Sequence, residues 1–173
     1  MVDVEYIVAE RDDTMPEQWI SNDEVMNHLR LPEWESSLDV YRLAAISEAE
    51  QYMNRFILPN TVINVSSNLN EFKMPCHATP TSIENADGKS AQFSFNKVTK
   101  RVKISGQGPF MIVANAGWST VENVPNAIKL AVLTAIATAY ENRESVSNGV
   151  SLSLNPFNHE RLLKLYRLIA GYR

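Results

Sequence analysis

Apolar residues that recur at steps of three and four define the first long helix of the sequence, over residues 37–56. This spacing places them on one side of an α-helix. The predicted apolar face consists of Leu38, Tyr41, Ala45, Ala49, Tyr52 and Phe56. A shorter helix is predicted ahead of it, because Ser21 and Glu24 have the spacing of a capping box. Pro32 ends this helix, since helical backbone is disfavoured at the residue before a proline.

The pattern changes at Thr61, where short segments rich in β-branched and aromatic residues alternate with turn residues such as Asp87-Gly88. Such segments are typical of strands, and they read TVINVSS, AQFSF, RVKIS and FMIVANAG. Residues 61–118 are therefore predicted to form a small antiparallel β unit between two helical parts. Residues 1–20 lack a sustained period, and we predict an extended arm there, with a short strand at residues 4–9.

A helical pattern returns after Gly117. Pro125 suits a first helical position, since its missing N–H needs no partner there. The helix predicted from Ala127 to Tyr140 is apolar on nearly all sides, so it must be covered on more than one side. Either the core of one domain or another copy of the chain would supply the second cover. Small residues that would allow close helix packing are Ala131, Ala135, Ala137 and Ala139.

The C-terminal part is predicted to contain a polar loop followed by a helix. In the loop, Val150, Leu152 and Leu154 alternate with serines, a short strand pattern that suits either β-addition to a neighbour or local packing. The helix is predicted from Asn158, a good N-cap, to residue 170. Its predicted apolar face consists of Leu162, Leu165, Tyr166 and Ile169.

Together these patterns predict an α+β fold, a helical bundle of about four helices with an inserted small antiparallel β unit. The expected organisation is an N-terminal arm (residues 1–20), a helical part (21–60), the inserted β unit (61–118) and a second helical part (119–173). The two helical parts are expected to form one composite domain, which suits a chain of 173 residues.

The net charge of −4 is unevenly distributed along the chain. Residues 1–60 contain 13 acidic and 4 basic residues, a balance of −9, whereas residues 61–173 contain 7 acidic and 12 basic residues, a balance of +5. Two surfaces of opposite sign would suit head-to-tail stacking of subunits or docking on a charged partner. Alternatively, the acidic helix faces are simply solvated.

No group of residues has the pattern of a catalytic, metal or cofactor site, so we predict neither an enzyme nor a bound metal or cofactor. His28, His77 and His159 are scattered, and HExxH, paired CxxC and EF-hand motifs are absent from the sequence. Cys76 and His77 are adjacent, and on an extended chain their side chains would point to opposite faces. Cys76 is therefore predicted to be a small apolar filler.

Four basic residues, Lys97, Lys100, Arg101 and Lys103, lie on a predicted hairpin and could meet nucleic-acid phosphates. We favour a solvated edge instead, because the chain is acidic overall and charged side chains protect exposed sheet edges. No apolar run reaches the about 18 residues of a membrane span, and the acidic N-terminus does not have the pattern of a signal peptide. Cys76 is the only cysteine, which excludes an intrachain disulfide and indicates a reducing compartment.

Four segments carry a family resemblance: ISNDEVMNHLRL, AAISEAEQYMNRFI, GWSTVENVPNAIKLAVLTAIATAYENRESV and LLKLYRLIAGYR. In their order and spacing, over residues 21–173, they resemble the head–tail connector family of long-tailed bacteriophages, also called adaptor or head-completion proteins. The third segment is similar to that family's Gly-aromatic strand end, Val-Pro helix start and signature helix end. Here the signature helix end is Tyr140, Glu141, Asn142, Arg143 and Glu144.

This resemblance implies a structural virion protein of the neck, assembled in the host cytoplasm, without catalysis. The implied partners are other copies in a dodecameric ring, the portal protein above it, and a downstream neck, stopper or tail-completion protein. Genomic DNA would pass through the channel without sequence-specific binding, and no membrane is involved. The main alternative is another neck component, such as a stopper or tail-completion protein. A small enzyme or ligand-binding protein is the second alternative.

The C-terminal helix is predicted to contact the portal through a basic stripe, for which the alternative is a solvated face. The predicted interface residues are Arg161, Lys164, Tyr166, Arg167 and Arg173. The resembling family often has a proline where this chain has Leu165, so the helix is expected to continue and its docking to differ. We also expect the acidic N-terminal half to face either the channel, where negative charge would repel DNA phosphates, or the downstream neck protein.

Overall fold

The structure is a computed structural model that describes residues 4–141 and 159–168. The chain forms two compact units, each with its own core. Among the described residues, the first unit contains residues 4–13 and 58–119, and the second contains residues 14–57, 120–141 and 159–168. The strands lie in the first unit and the α-helices in the second, which confirms the predicted α+β class.

The described part of the first unit contains seven strands. They are β1 (Val4–Glu10), β2 (Thr61–Ser67), β3 (Glu71–Lys73), β4 (Thr79–Asn85), β5 (Phe93–Asn96), β6 (Arg101–Ile104) and β7 (Phe110–Ala116). A four-stranded sheet has the order β1-β2-β7-β4, and a three-stranded sheet has the order β3-β6-β5. All pairings are antiparallel.

Alternation along β2 and β7 fixes which face of the four-stranded sheet is buried. Burial alternates residue by residue along β7, and the same period appears in most of β2. Ile63 and Val65 are opposite Ala114 and Ile112, and all four are buried. Because side chains along a strand alternate between faces, every second residue of these strands is left on the outer face. The three-stranded sheet likewise buries Phe72, Val102 and Ile104.

The second unit contains five α-helices within the residues that the structure describes. They are α1 (Met15–Trp19), α2 (Asn22–Leu29), α3 (Ser37–Met53), α4 (Asn126–Glu141) and α5 (His159–Leu163). The predicted capping box is confirmed: the Glu24 N–H donates to Ser21 Oγ (3.2 Å), and the Ser21 N–H donates to Glu24 Oε2 (2.9 Å). Large side chains from all five helices are buried, among them Trp19, Val25, Leu38, Ile128 and Leu163.

Residues 1–20 differ from the predicted extended arm. The strand expected at residues 4–9 is present as β1, and it pairs with β2 along its length. Residues 15–19, however, form the short helix α1, with Pro16 in its first turn and Trp19 buried. The missing N–H of a proline needs no partner at a helix start, and burial of the indole stabilises a helix that is too short to persist alone.

The predicted β unit contains more strands than expected, because β3 and β4 were not predicted. The four predicted strands correspond to β2, β5, β6 and β7. β3 has only three residues, and β4 has the sequence TPTSIEN, in which only Pro80 and Ile83 are buried. β4 is also an edge strand, where a proline is tolerated because half of the backbone groups need no strand partner.

The last helix ends earlier than predicted. α5 is followed by a 3-10 turn at Lys164–Tyr166, and Arg167 has extended backbone (φ −68°, ψ 126°), so continuation to residue 170 was wrong. The predicted apolar face was wrong at Leu165, which is 89% exposed, and it left out the buried Leu163. Two other predicted members, Leu162 and Tyr166, are half-buried. The expected N-cap Asn158, the loop positions Val150, Leu152 and Leu154, and Ile169 lie outside the described residues.

Candidate assembly interface

The C-terminal segment is attached to the end of α3 by two hydrogen bonds, one between main-chain groups and one from a side chain. The Leu168 N–H donates to Met53 O (2.8 Å), and the Asn54 side-chain amide donates to Leu168 O (3.2 Å). Asn54 is in the left-handed conformation that closes α3, and the carbonyl of Met53 has no partner within its own helix because it belongs to the last turn. The segment after α5 is thereby held in a defined place on the helical unit.

The predicted portal-contact residues have different surroundings. Arg161 and Lys164 are exposed, whereas the Arg167 guanidinium carbon lies 5.1 Å from the centre of the Tyr52 ring, a cation–π contact within the unit. Tyr166 is half-buried, and Arg173 lies outside the described residues. The structure therefore presents Arg161 and Lys164 to solvent, and Arg167 also stabilises the unit.

Leu165 was assigned to the buried face by periodicity, yet it is the most exposed leucine of the described helical unit. It lies in the 3-10 turn next to Lys164. A 3-10 turn has about three residues per turn, so the α-helical spacing used for the prediction no longer applies there. The surface of this segment thus combines the exposed cations Arg161, Lys164 and Arg167 with one large exposed apolar side chain, Leu165.

The signature helix end has a structural role in its described part. The Tyr140 hydroxyl donates to Glu35 Oε1 (2.7 Å), and its ring packs edge-on against Tyr41, with 6.4 Å between ring centres. Tyr140 therefore joins the end of α4 to α3 and to the segment before it. Glu141 is exposed, and Asn142, Arg143 and Glu144 lie outside the described residues.

α4 has a second, solvent-facing side with little polar character. Its core side consists of Ile128, Ala131, Val132, Ala135 and Ile136. On the opposite side, Leu130 is 43% exposed, and the hydroxyls of Thr134 and Thr138 donate to the carbonyls of Leu130 (2.8 Å) and Thr134 (2.9 Å). Because these hydroxyls are satisfied by their own helix, the exposed side of α4 is available for packing against another protein surface.

The basic residues of the predicted hairpin are exposed or partly exposed around the turn between β5 and β6. Arg101 forms a 3.5 Å ion pair with Glu71 on the adjacent strand β3, and the Lys100 Nζ lies 5.9 Å from the centre of the Phe95 ring. The face of the three-stranded sheet that carries Arg101 and Lys103 is therefore a basic surface.

Cys76 and His77 do not lie on an extended chain, which corrects the geometry assumed from the sequence. They are in a short turn in which both residues have positive φ (50° and 57°). Cys76 is buried, as expected of a small apolar filler. No three His, Cys, Asp or Glu side chains within residues 4–141 and 159–168 come together as a metal site.

A shallow groove lies at one end of the four-stranded sheet. It is lined by Glu10, Asn60, Thr79, Asn115 and Trp118, among others, and Glu10 is the ionisable group among its lining residues.

None of the described helices is both long and apolar enough to cross a bilayer.

The fold is similar to that of chains in solved structures of gene transfer agent (GTA) particles. One chain, described as "Neck of native GTA particle computed with C12 symmetry", matches with a TM-score of 0.71 and 16% identity, over 98% of this chain and 100% of that chain. A second, "Neck of empty GTA particle computed with C6 symmetry", matches with a TM-score of 0.69 and 17% identity, over 98% and 100%.

A third match comes from the "Virion of native gene transfer agent (GTA) particle", with a TM-score of 0.67, 16% identity and 95% coverage of both chains. No family model and no curated protein matches the sequence. At these identities the likeness shows a shared fold. At that level the resemblance to head–tail connectors predicted from the sequence is confirmed.

Proposed function

We propose that this chain is a structural subunit of the neck of a phage-like virion, where copies form a ring beneath the portal as a head–tail connector. The observation that carries the proposal is the match of nearly the whole chain to neck chains of particles computed with C12 and C6 symmetry. The shared fold supports a structural role, although fold alone does not define function. The ring would extend the DNA channel, and genomic DNA would pass without sequence-specific contacts.

Within such a ring, the exposed side of α4 would pack against a neighbouring copy. Leu130 and the internally bonded Thr134 and Thr138 form a surface without charge. Burial of apolar surface stabilises association by about 25 cal/mol per Å² before the costs of assembly are subtracted. The sequence also allowed α4 to be simply the core helix of one domain. The opposite side of α4, which contains Ile128, Val132 and Ile136, has that role.

The portal would be contacted by the C-terminal segment, through Arg161, Lys164 and Leu165. Exposed cations steer association with an acidic surface, and an exposed leucine beside them would supply apolar contact. Removing the segment after Asn158 would test this poorly, because it also removes the buried Leu163 and the hydrogen bond to Met53. Surface substitutions that keep α5 are the sharper test.

The triple substitution Arg161→Glu, Lys164→Glu and Leu165→Ser should leave the melting temperature of the subunit within a few degrees of the original and abolish its capture by an immobilised portal ring. A matched control is Lys89→Glu, an exposed charge reversal in the first unit, which should bind the portal normally. Unchanged capture of the triple variant would reject this role for the segment.

The acidic N-terminal half would face the channel or the downstream neck protein. Exposed acids of the second unit include Glu17, Asp23 and Glu33, and a negative lumen would repel DNA phosphates. A reconstruction of the assembled neck that places these three residues on the outer rim would reject this part of the proposal.

The decisive experiment is the mass and shape of the complex formed with a purified portal ring. A connector should add a closed ring directly to the portal. A stopper or tail-completion protein should bind only after another neck component is present. A deep cleft that retains a cofactor through purification would instead favour an enzyme or ligand-binding protein.

A further inference from the structure

The turn between β5 and β6 is a fixed projection with an apolar end. Asn96 Oδ1 accepts hydrogen bonds from the N–H groups of Val98 and Thr99, both at 3.0 Å, an arrangement in which an asparagine side chain holds a turn. Val98 is 91% exposed. A valine is unusual in a turn, where Gly, Asn, Asp and Ser are favoured. Lys97 and Lys100 lie on either side of Val98 and Thr99 in sequence. We call residues 97–100 the hairpin tip.

The hairpin tip extends from a basic surface. Directly paired residues on antiparallel strands point to the same side of a sheet, and the pairings Lys103–Glu71 and Arg101–Lys73 place these four residues on the outer side of the three-stranded sheet. Strands β3, β5 and β6 and the hairpin tip together contain five bases and one acid, Glu71. This part of the first unit therefore carries a positive potential.

The four-stranded sheet has the opposite character on its outer face. Its four strands contain three acids, Glu5, Glu10 and Glu84, and no lysine or arginine. Ile7, Met111 and Val113 are 68%, 53% and 37% exposed. Met111 and Val113 alternate with the buried residues of β7, and Ile7 lies on the same side of the sheet, because it is opposite Asn64, which is opposite Val113. We call the surface made by Glu5, Ile7, Glu84, Met111 and Val113 the outer sheet face.

The register places apolar side chains between carboxylates on this face. Glu5, Ser66, Met111 and Glu84 form one row across the sheet, with an acid on each edge strand. Ile7, Asn64, Val113 and Ser82 form the next outward-facing row. On the outer sheet face, Met111 and Val113 lie on the inner strand β7, Ile7 lies on the edge strand β1, and the polar Ser66 and Asn64 of β2 lie between them. Each edge strand also carries an acid, whereas the hairpin tip is an apolar point between two cations.

We propose that the hairpin tip of one copy docks on the outer sheet face of the next copy, a contact that rests on the proposed ring. Val98 would cover the adjacent Met111 and Val113 on β7, and Lys97 and Lys100 would face Glu5 and Glu84 on the two edge strands. Two different patches that meet head to tail generate a ring when the rotation closes. Complementary charges at the margin fix the register of such a contact and disfavour wrong partners.

Nucleic acid is the competing occupant of the basic hairpin, and the structure favours a second copy. Phosphate binding would use the lysines but would leave an exposed valine at the tip against a highly charged backbone. Phosphate binding would also leave the exposed apolar residues of the outer sheet face, Met111 and Val113, unexplained. A protein surface with the opposite charge and a matching apolar centre accounts for both features.

The contact is tested by disulfide trapping in the assembled neck. The variants Val98→Cys and Val113→Cys are prepared separately, each retaining the buried Cys76, and are mixed on a portal ring and oxidised. We expect a covalent dimer from the mixture and none from either variant alone. The double variant should give a ladder of multimers that ends at the closed ring, since a disulfide needs the two Cα atoms within about 7 Å.

Charge exchange supplies the second arm. The pair Lys97→Glu and Lys100→Glu should reduce ring yield on the portal at least tenfold, and adding Glu5→Lys and Glu84→Lys should restore it. The contact is overturned, and the connector function stands, if the wild-type protein forms a ring by electron microscopy while the mixed cysteine variants give no 98–113 crosslink. The same conclusion follows if the charge-reversed pair assembles with an undiminished yield. If the charge-reversed pair loses retention of duplex DNA while its ring yield is unchanged, the hairpin is assigned to nucleic acid and the contact between copies is overturned too. Absence of any wild-type ring on the portal refutes the proposed function itself.

Discussion

Arg42 joins three parts of the helical unit through one buried side chain. Its Nη1 donates to Ile20 O (3.0 Å) and to Asn22 Oδ1 (2.8 Å), at the junction of α1 and α2. Its Nη2 bonds to Asp39 on α3, and the guanidinium lies 5.2 Å from the centre of the Trp34 ring. A buried guanidinium with fixed acceptors and an aromatic neighbour cannot be replaced by lysine without loss, because lysine has a single donor group on a flexible stem.

Arg42→Met should therefore lower the stability of the helical unit by about 2 kcal/mol, since it leaves buried acceptors without their charged donor. Arg42→Lys should cost less but still be measurable. The measurement is the urea midpoint of helix loss by circular dichroism. Arg161→Met, on the exposed side of α5, is the matched control and should shift the midpoint little. Equal midpoints for Arg42→Met and Arg161→Met would contradict the role assigned to Arg42.

Glu24 links α2 to α4 and makes stability depend on pH. Burial alone would raise its pKa, but the hydrogen bond from Lys129 Nζ (2.8 Å), the Ser21 N–H and the Lys129 charge together hold the pKa of Glu24 below its ordinary value of 4.5. Because the folded-state pKa lies below that of the unfolded chain, the carboxylate stabilises the fold above pH 4.5. That contribution is lost as the pH falls through the folded-state pKa.

The substitution Glu24→Gln isolates this charge, since glutamine can also occupy the third position of a capping box. At pH 7 it should cost about 0.5 kcal/mol, because the ion pair is partly exposed. The difference in melting temperature from the unmodified protein should shrink as the pH falls below 4.5. Glu17→Gln, an exposed acid in α1, should show no such pH-dependent difference. A gap for Glu24→Gln that stays constant from pH 7 to acid would argue against a charge effect.

At the scale of elements, opposite sides of α4 are expected to serve folding and assembly separately. Ala135 is 8% exposed on the core side, so Ala135→Arg should unfold the helical unit, because burial of an unpaired charge costs about 3 kcal/mol or more. Leu130→Glu, on the exposed side, should fold with an unchanged melting temperature and fail to form the ring. If Leu130→Glu assembles normally on the portal, α4 is a core helix alone.

Elements whose pattern is local could be predicted from the sequence, and those that depend on distant contacts could not. β7 alternates between buried and exposed residues along its length, and the Ser21 capping box is complete within four residues. The end of α5 is different, because the Leu168 N–H bonds to Met53 O, a partner more than a hundred residues away in sequence. β4 was missed because an edge strand with two buried side chains lacks a strong apolar period.

The sequence predicted which residue types form the candidate interface better than it predicted their exposure and arrangement. The basic character near Arg161 and Lys164 follows from the sequence, and both are exposed as expected. The exposure of Leu165 depends on the change from α-helix to 3-10 turn, which periodicity alone does not show. The outer sheet face required the strand register, since Glu5, Met111 and Glu84 are far apart in sequence and adjacent only through pairing.

For the whole molecule, the net charge of −4 sets an ionic-strength requirement on the proposed ring. Twelve copies of the 19.5 kDa chain would weigh about 234 kDa and carry a total charge of about −48. The Debye length is about 30 Å at 0.01 M salt and about 10 Å at 0.1 M. Repulsion between whole subunits therefore acts at low salt and is largely screened at 0.1 M, whereas contacts between paired side chains are screened much less.

Ring occupancy on the portal should consequently rise between 0.01 M and 0.1 M salt and fall again toward 1 M, where the Debye length of about 3 Å weakens the complementary contacts as well. Mass photometry of the portal complex would follow the added 234 kDa directly. The variant Asp13→Lys with Asp87→Lys changes two exposed acids outside the proposed docking surfaces and takes the charge of each copy from −4 to 0, so it should lose the rise at low salt. A yield that decreases steadily from 0.01 M would mean that local charge pairs, and not net repulsion, govern assembly.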